Sequence, residues 1–326
     1  MRRSLALVSL AVAALAATAT PVAADSTSTT TSLAPVALAP LSGRPDVAHV
    51  TAHRPAVTVK IDNTFDAHPQ YGVRQADVVY EEIVEGGITR LAAVFNSAAP
   101  ARVGPIRSVR RTDREIVGPL GGIFACSGGA AYAIASIETA PVKLFTEANA
   151  GTMMFRDDRR PAPHNLFVNV SRLIRQGGHP APPRAIFTYA STPSVATSPA
   201  RSLTVGFANG YAVGYAWDAR TGSWDRTIFG SPDRDATGRR VSPTNVIVMW
   251  VHYLGGVGVE GAEAQLTGSG VAEVFTRHSS VVGRWSRSSL SSRLVYRSRG
   301  GRVIALAPGQ TWVELLDVSQ RVAVVR

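Results

Sequence analysis

The sequence has one cysteine, Cys126, and two lysines, Lys60 and Lys143. A single cysteine excludes an intramolecular disulfide and any site built from two or four cysteine ligands. Cys126 closes the apolar run Ile123-Phe124-Ala125, so it is expected to pack as a small buried hydrophobe. Charged residues are also scarce, at 17%, which excludes a charge-solvated disordered chain. There is no Walker A sequence, HExxH, GxSxG or dinucleotide fingerprint, so no cofactor is implied. Asp233-Arg-Asp235-Ala-Thr-Gly238 begins like a calcium loop, but Thr244 stands where a bidentate Glu is needed, and the segment reads as a hairpin turn.

What is present begins with an export signal. Arg2 and Arg3 precede the apolar stretch Leu5 to Ala17, and Val22-Ala23-Ala24 supplies a small-x-small cleavage pattern. Residues 1–24 therefore read as a secretory signal peptide, cut before Asp25. No cysteine stands at that cut, so a lipid-anchored new N-terminus is not expected. No later run approaches 18 apolar residues, and no transmembrane helix is expected after cleavage. The protein is read as secreted or extracytoplasmic, within the cell envelope. Residues 25–54, rich in Ser, Thr, Pro and Ala, read as a disordered tether.

With 45% hydrophobic residues in 326, two folded domains are expected. In residues 55–190, Val57 to Ile61, Asp77 to Glu81 and Ile88 to Phe95 read as strands. Gly86-Gly87 joins the last two as a hairpin. Thr112 to Val117, Ala130 to Ile137 and Val170 to Arg175 read as helices, the first with Thr112 as N-cap. Residues 191–200 form a linker inside the Pro- and Ser-rich stretch Pro180 to Pro199, and residues 201–326 are strand-rich. The expected class is α+β: an N-terminal α/β sandwich followed by a smaller, mostly β domain.

The formal net charge is +11, nearly all of it from arginine. An Arg-biased composition accounts for much of that, but the positions are clustered. Arg107 and Arg110, with Ser108 between them, follow the rigid Gly104-Pro105. They would share a face if a helix began there, and such a helix start would favour an anion. Arg156 and Arg160 precede His164 and Asn165 in a second polar segment. Glu81, Glu82, Glu85 and Arg90 make a third, in which the acids are expected to pair with Arg90 and its neighbours. Arg90, Arg107, Arg110, Arg156 and His164 are expected to converge on one anion pocket of the first domain.

These segments together resemble the YerB-like family of bacterial envelope lipoproteins, a family of unknown function. The residues that carry the resemblance are Val59-Lys60-Ile61-Asp62-Asn63, Ala76 to Glu81, Glu85 to Arg90, Gly104 to Arg110 and Pro163-His164-Asn165-Leu166. Asn245 to Val248, Gly283-Arg284-Trp285 and Pro308 to Trp312 are similar to that family's C-terminal module. The resemblance implies a two-module fold and no established activity. The layout is also similar, by analogy only, to phosphotransferases of the LytR-CpsA-Psr type, which hold a lipid pyrophosphate with arginines.

Three functions follow as expectations. The first is binding of an anionic envelope ligand or cell-wall component without catalysis. The second is phosphoryl transfer or hydrolysis, with Glu81 or Asp62 as base. The third is a structural interaction module. Export and the absence of interleaved basic and aromatic residues argue against nucleic acid. Nothing in the sequence sets the oligomeric state.

Overall fold

Three strands buried along their whole length, Val57–Asp62 (β1), Val78–Ile83 (β2) and Thr89–Phe95 (β3), build the centre of the molecule, and β-branched residues alternate in the first. The computed structural model describes residues 36–326, so the expected signal peptide, residues 1–24, and residues 25–35 lie outside the described residues. β2 and β3 form the expected hairpin, and β3 pairs antiparallel with β1. The turn needs glycine at Gly87, where φ is +73° and an added Cβ would come within 2.5 Å of the Asn209 side chain. Gly122–Ala125 (β4) and Val142–Phe145 (β5) extend the sheet in parallel beyond β1, joined by the helix Ala131–Glu138.

The other side of the sheet comes from the C-terminal half of the chain. Thr311–Asp317 lies parallel to β2 on one side and to Asn245–Val251 on the other. Gly268–Thr276, Ser279–Arg287 and Val295–Ser298 then follow as an antiparallel meander. The result is one eleven-stranded mixed sheet. This corrects the expectation of an α/β sandwich followed by a separate β domain. The two modules share a sheet, and the fold is mostly β with short helices. The pairing of Thr311–Asp317 with β2 has no local signature, because the partners are far apart in sequence.

A second, five-stranded antiparallel sheet is made by Ser231–Pro232, Ser223–Ile228, Ala212–Asp218, Ser202–Gly206 and Val322–Val325. It packs on one face of the large sheet. Trp224 meets Phe275 with ring centroids 5.7 Å apart, and Tyr215 meets Trp312 at 6.5 Å. Trp224, Trp312 and Tyr215 are essentially unexposed. Burial of each such side chain stabilises by roughly 1.5–3 kcal/mol. The short helix Arg111–Val117 lies against the opposite face, where its Asp113 reaches Lys60.

Two further expectations are corrected. The tether does not extend through residues 36–54: Leu41 is fully buried, Tyr189 Oη donates to its carbonyl at 2.6 Å, and Asp46 accepts from the amides of Val50 and Thr51. A Pro- and Ala-rich composition does not reveal that one leucine has a pocket. The linker is also tied down at its end, where Ser198 and Pro199 pair with Ser280 and Ser279. The hairpin turn at Asp235 to Gly238 forms, closed by Gly238 N–H donating to the Asp235 carbonyl at 2.8 Å. Cys126 is fully buried, and burial pushes its thiol up to about 11.

Candidate functional site

Strand alternation puts two polar clusters back to back on the two faces of β1, β2 and β3. Asp62, Arg90 and Glu82 are cross-strand partners in one row, and Lys60 is two residues back on the same face. Ile61, Leu91 and Glu81 form the adjacent row, which faces the five-stranded sheet.

On the first face, the segment Val103 to Val109 runs beside β1. Asp62 N–H donates to the Pro105 carbonyl at 2.9 Å, and Arg107 N–H to the Lys60 carbonyl at 2.9 Å. These bonds fix where the arginines emerge. Arg107 Nε lies 2.9 Å from Asp62 Oδ2, and His164 Nδ1 lies 2.8 Å from the same oxygen. The Thr64 amide and hydroxyl donate to Asp62 Oδ1. Burial opposes ionisation of Asp62, yet the Thr64 amide, Arg107 and His164 together hold its carboxyl below the usual range.

Beside this pair, Glu85 joins two more arginines. Arg110 Nε donates to Glu85 Oε2 at 2.7 Å and its Nη2 grips Oε1, which Arg90 Nη2 also approaches at 3.1 Å. Arg90 and Arg110 both donate to the carbonyl of Ser108, so Ser108 contributes its backbone rather than its hydroxyl. Burial weighs against the Glu85 carboxylate, but the Arg110 and Arg90 contacts bring it down to about 2. Burial, and then Arg110, pushes Arg90 down to about 10. Beneath them, Lys60 bonds to Glu82 and, at 2.8 Å, to Asp113, with all three side chains buried. Burial raises the Asp113 carboxyl, against the pull of Lys60 and with the push of Glu82.

The two groups differ in what they leave open. Glu85 is 38% exposed and Arg107 27%, whereas Asp62 is 1% exposed. Among the described residues, the terminal nitrogens Nη1 and Nη2 of Arg107 have no protein partner. Arg107 and Arg110 do not share a helix face, because the helix begins only at Arg111 and the backbone at Arg110 is extended. Asp113 caps that start by accepting from the Arg110 amide at 2.7 Å, and Thr112 instead receives the Ala264 amide.

The remaining expected residues divide. Arg156 pairs with Glu147 and donates to Asn165 Oδ1 at 2.6 Å, forming its own exposed group. Arg160 donates to the carbonyls of Ala67 and Pro69 and braces that loop. Asn63 and Glu81 belong to the second face. Glu81 does not pair with Arg90: Arg226 Nη2 lies 2.6 Å from its Oε2, while Thr89, Asn63 and Tyr211 donate to Oε1. Arg226 also holds Asp233 and sits 4.5 Å above the Trp312 ring. Tyr215 donates to Glu314, whose carboxyl is raised by burial and by Glu81 nearby. This buried network clasps the two sheets together. Arg226, Asp233, Tyr211, Tyr215 and Glu314 carry it, and sequence reasoning missed them all. A signal was present for one of them: Glu314 is a charge inside the apolar run Trp312 to Leu316.

Among the described residues, no group of three or more His, Cys, Asp or Glu is arranged to hold a metal ion, and no helix is long and apolar enough to cross a membrane.

Comparisons with known proteins bear on this geometry. The profile "Protein of unknown function (DUF3048) N-terminal domain" matches residues 41–179, and the corresponding C-terminal domain matches residues 203–313. The chain is 25% identical over 290 residues to the protein named "Putative lipoprotein YerB" of Bacillus subtilis (strain 168), covering 85% of this chain and 86% of that one. The crystal structure of YerB protein from Bacillus subtilis is similar with a TM-score of 0.75, over 88% of this chain and 99% of that chain, at 23% identity. That likeness is one of fold.

Proposed function

Because the chain belongs to the YerB-like family of paired DUF3048 N- and C-terminal domains, a family without an assigned activity, we propose its role from the site itself: it is an exported cell-envelope protein that binds an anionic ligand, bearing phosphate or carboxylate, on the cluster of Arg90, Arg107 and Arg110. The single observation that carries this reading is the state of Arg107. Its Nε lies 2.9 Å from the Asp62 carboxylate as a charge contact, while the side chain is 27% exposed and, among the described residues, its terminal nitrogens make no hydrogen bond to protein. A guanidinium held at one edge and open at the other is pre-organised for a bidentate contact with an oxyanion. Arg90 and Arg110 add positive charge beside it, against the one exposed carboxylate of Glu85. Envelope location is suggested by the relative's name as a lipoprotein. Cys126, the sole cysteine, is enclosed in the core and is not a lipid acceptor in this reading.

Titration with polyglycerol phosphate tests it. Arg107→Ala is expected to weaken binding by roughly ten- to a hundredfold, the loss of one charge-assisted contact worth about 1.5–3 kcal/mol, with the fold retained and the melting temperature lowered only by the loss of the Asp62 contact. Unfolding of the variant, or undiminished binding, would overturn the reading.

One observation favours a second reading, catalysis of phosphoryl transfer or hydrolysis: the Asp62–His164 contact has the form of a carboxylate orienting an imidazole. Two facts weigh against it. Asp62 is shared with Arg107, so its carboxylate does not serve the imidazole alone. Glu81, the other base considered, is unexposed and locked to Arg226. Hydrolysis of a phosphodiester that disappears in His164→Ala would favour this second reading.

A further inference from the structure

A second positively charged site lies at the other end of the β2–β3 hairpin. The arginine cluster sits where β2 ends and β3 begins, at Glu85 and Arg90. The second site sits where β2 begins and β3 ends, at Asp77 and Ser97. At about 3.3 Å per residue, the six-residue strand separates them by roughly 20 Å.

There a cavity of about 400 Å³ opens between three separate stretches of chain. Ser42 and Arg44 come from the N-terminal segment, Arg74 and Asp77 from the approach to β2, and Arg239 from the C-terminal module. Three arginines and the one carboxylate of Asp77 thus line the cavity. That carboxylate is already engaged, since Asp77 Oδ2 accepts from the Asn96 amide at 2.7 Å and the Ser97 amide at 2.8 Å. Arg74 is positioned by the protein: its Nε donates to the Arg240 carbonyl at 2.7 Å and its Nη1 lies 3.6 Å from Asp235. Arg44 and Arg239 are exposed and, among the described residues, their side chains enter no ion pair.

The wall also carries an unpartnered polar group. Ser42 is 2% exposed, and its hydroxyl has no hydrogen-bond partner among the described residues. Buried hydroxyls are normally satisfied, and one that lines a cationic cavity is a donor awaiting an acceptor. The Ser42 backbone is fixed, because its carbonyl accepts from the Gly309 amide at 2.7 Å. Gln310, also in the wall, spends its amide on the carbonyls of Val73 and Ala76.

We propose that this cavity is an anion site for a phosphate or pyrophosphate group, held by Arg44 of the N-terminal segment and Arg239 of the C-terminal module, with the unpartnered Ser42 hydroxyl turning to donate from the wall. Two guanidinium forks carried by different segments, together with a hydroxyl, suit an anion that presents several oxygens in different directions, as a tetrahedral phosphate does. A planar carboxylate would leave one fork unused. Both modules and the N-terminal segment contribute to the cavity, so an occupying anion ties the three together.

The test is calorimetric titration of the full chain with inorganic phosphate, pyrophosphate and glycerol phosphate. Binding of at least one is expected, weakened ten- to a hundredfold in Arg44→Ala and again in Arg239→Ala; repeating each titration in an Arg107→Ala background removes the contribution of the first site, and the same losses are expected there. Tighter binding of glycerol phosphate than of phosphate would support the site and identify a phosphate carried on a larger molecule; the reverse order would support a free anion. Ser42→Ala is expected to weaken binding severalfold. Should Arg44→Ala lower the melting temperature, Arg239→Ala decides alone, since Arg239 lies on an exposed hairpin. No binding of any probe in the Arg107→Ala background, or binding there that is indifferent to Arg239→Ala, would overturn the proposal.

Discussion

Arg107 and His164 meet on one oxygen atom: Arg107 Nε lies 2.9 Å and His164 Nδ1 2.8 Å from Asp62 Oδ2. A single carboxylate therefore gathers two segments that are distant in sequence, and the ionised form of Asp62 is what holds them. Its carboxyl is burdened by burial but lowered overall from 3.8 by the Thr64 amide, Arg107 and His164. An acid with a depressed folded value stabilises above its unfolded value and loses that contribution as pH falls through the folded one. Asp62→Asn is thus expected to melt below the wild type at pH 6–7, with the gap closing below about pH 4. Calorimetric melting across that range checks it, and a gap independent of pH would show that Asp62 acts only through packing.

The buried clasp between the sheets gives a larger effect. Arg226 and Glu81 have no exposed side-chain surface, and Asp233 is almost as enclosed. Arg226→Ala leaves two buried carboxylates without their cation, a loss of about 3–5 kcal/mol. Denaturant unfolding should register it as a lowered midpoint, and Arg226→Met combined with Glu81→Gln should recover part of the loss.

Glu314 has the opposite sign. Burial first, and Glu81 second, raise its carboxyl well above 4.5. The folded protein then keeps a proton that the unfolded chain releases, so stability falls as pH rises above the unfolded value, by up to about 1.4 kcal/mol per pH unit. Glu314→Gln keeps an oxygen to accept from Tyr215 and removes that cost. It is expected to match the wild type near pH 4 and to be the more stable of the two at pH 7, read from unfolding curves at both values.

The parts of this structure that were legible in the sequence are those set by local chemistry. Alternating β-branched residues marked β1, the strand-like runs Asp77 to Glu81 and Ile88 to Phe95 marked β2 and β3, Gly86-Gly87 marked the hairpin between those two, and the apolar run before Cys126 marked its burial. The grouping of Arg90, Arg107, Arg110 and His164 near Asp62 follows from where those strands end. What escaped depends on long-range pairing. Glu81 faces Arg226 only because the five-stranded sheet covers that face, and no neighbouring residue announces it. Arg107 and Arg110 look like a helical pair by spacing, but the bond from Arg107 to the Lys60 carbonyl keeps this stretch extended beside β1. The shared sheet is the largest such case, since Val78 finds Thr311 as its parallel partner.

That shared sheet makes a prediction about proteolysis. Pro180 to Pro199 separates the two matched family regions, and Arg184 within it is exposed. Trypsin is expected to cut after Arg184 early, because an exposed irregular stretch makes few contacts. Two independent domains would then part. Here they are expected to stay together, because Thr311–Asp317 is hydrogen-bonded on both edges, to Asn245–Val251 and to β2. Its Trp312 and Leu315 are unexposed, and its neighbour β2 sends Glu81 to Arg226 of the other module. Parting the pieces would expose that apolar surface, at about 25 cal/mol per Å², and would leave Arg226 and Glu81 uncompensated. Size-exclusion chromatography of the nicked protein should give one peak at the intact mass, and denaturing gels should show two fragments. Two separate folded peaks would mean that the β2 edge is dispensable and that each module closes its own core.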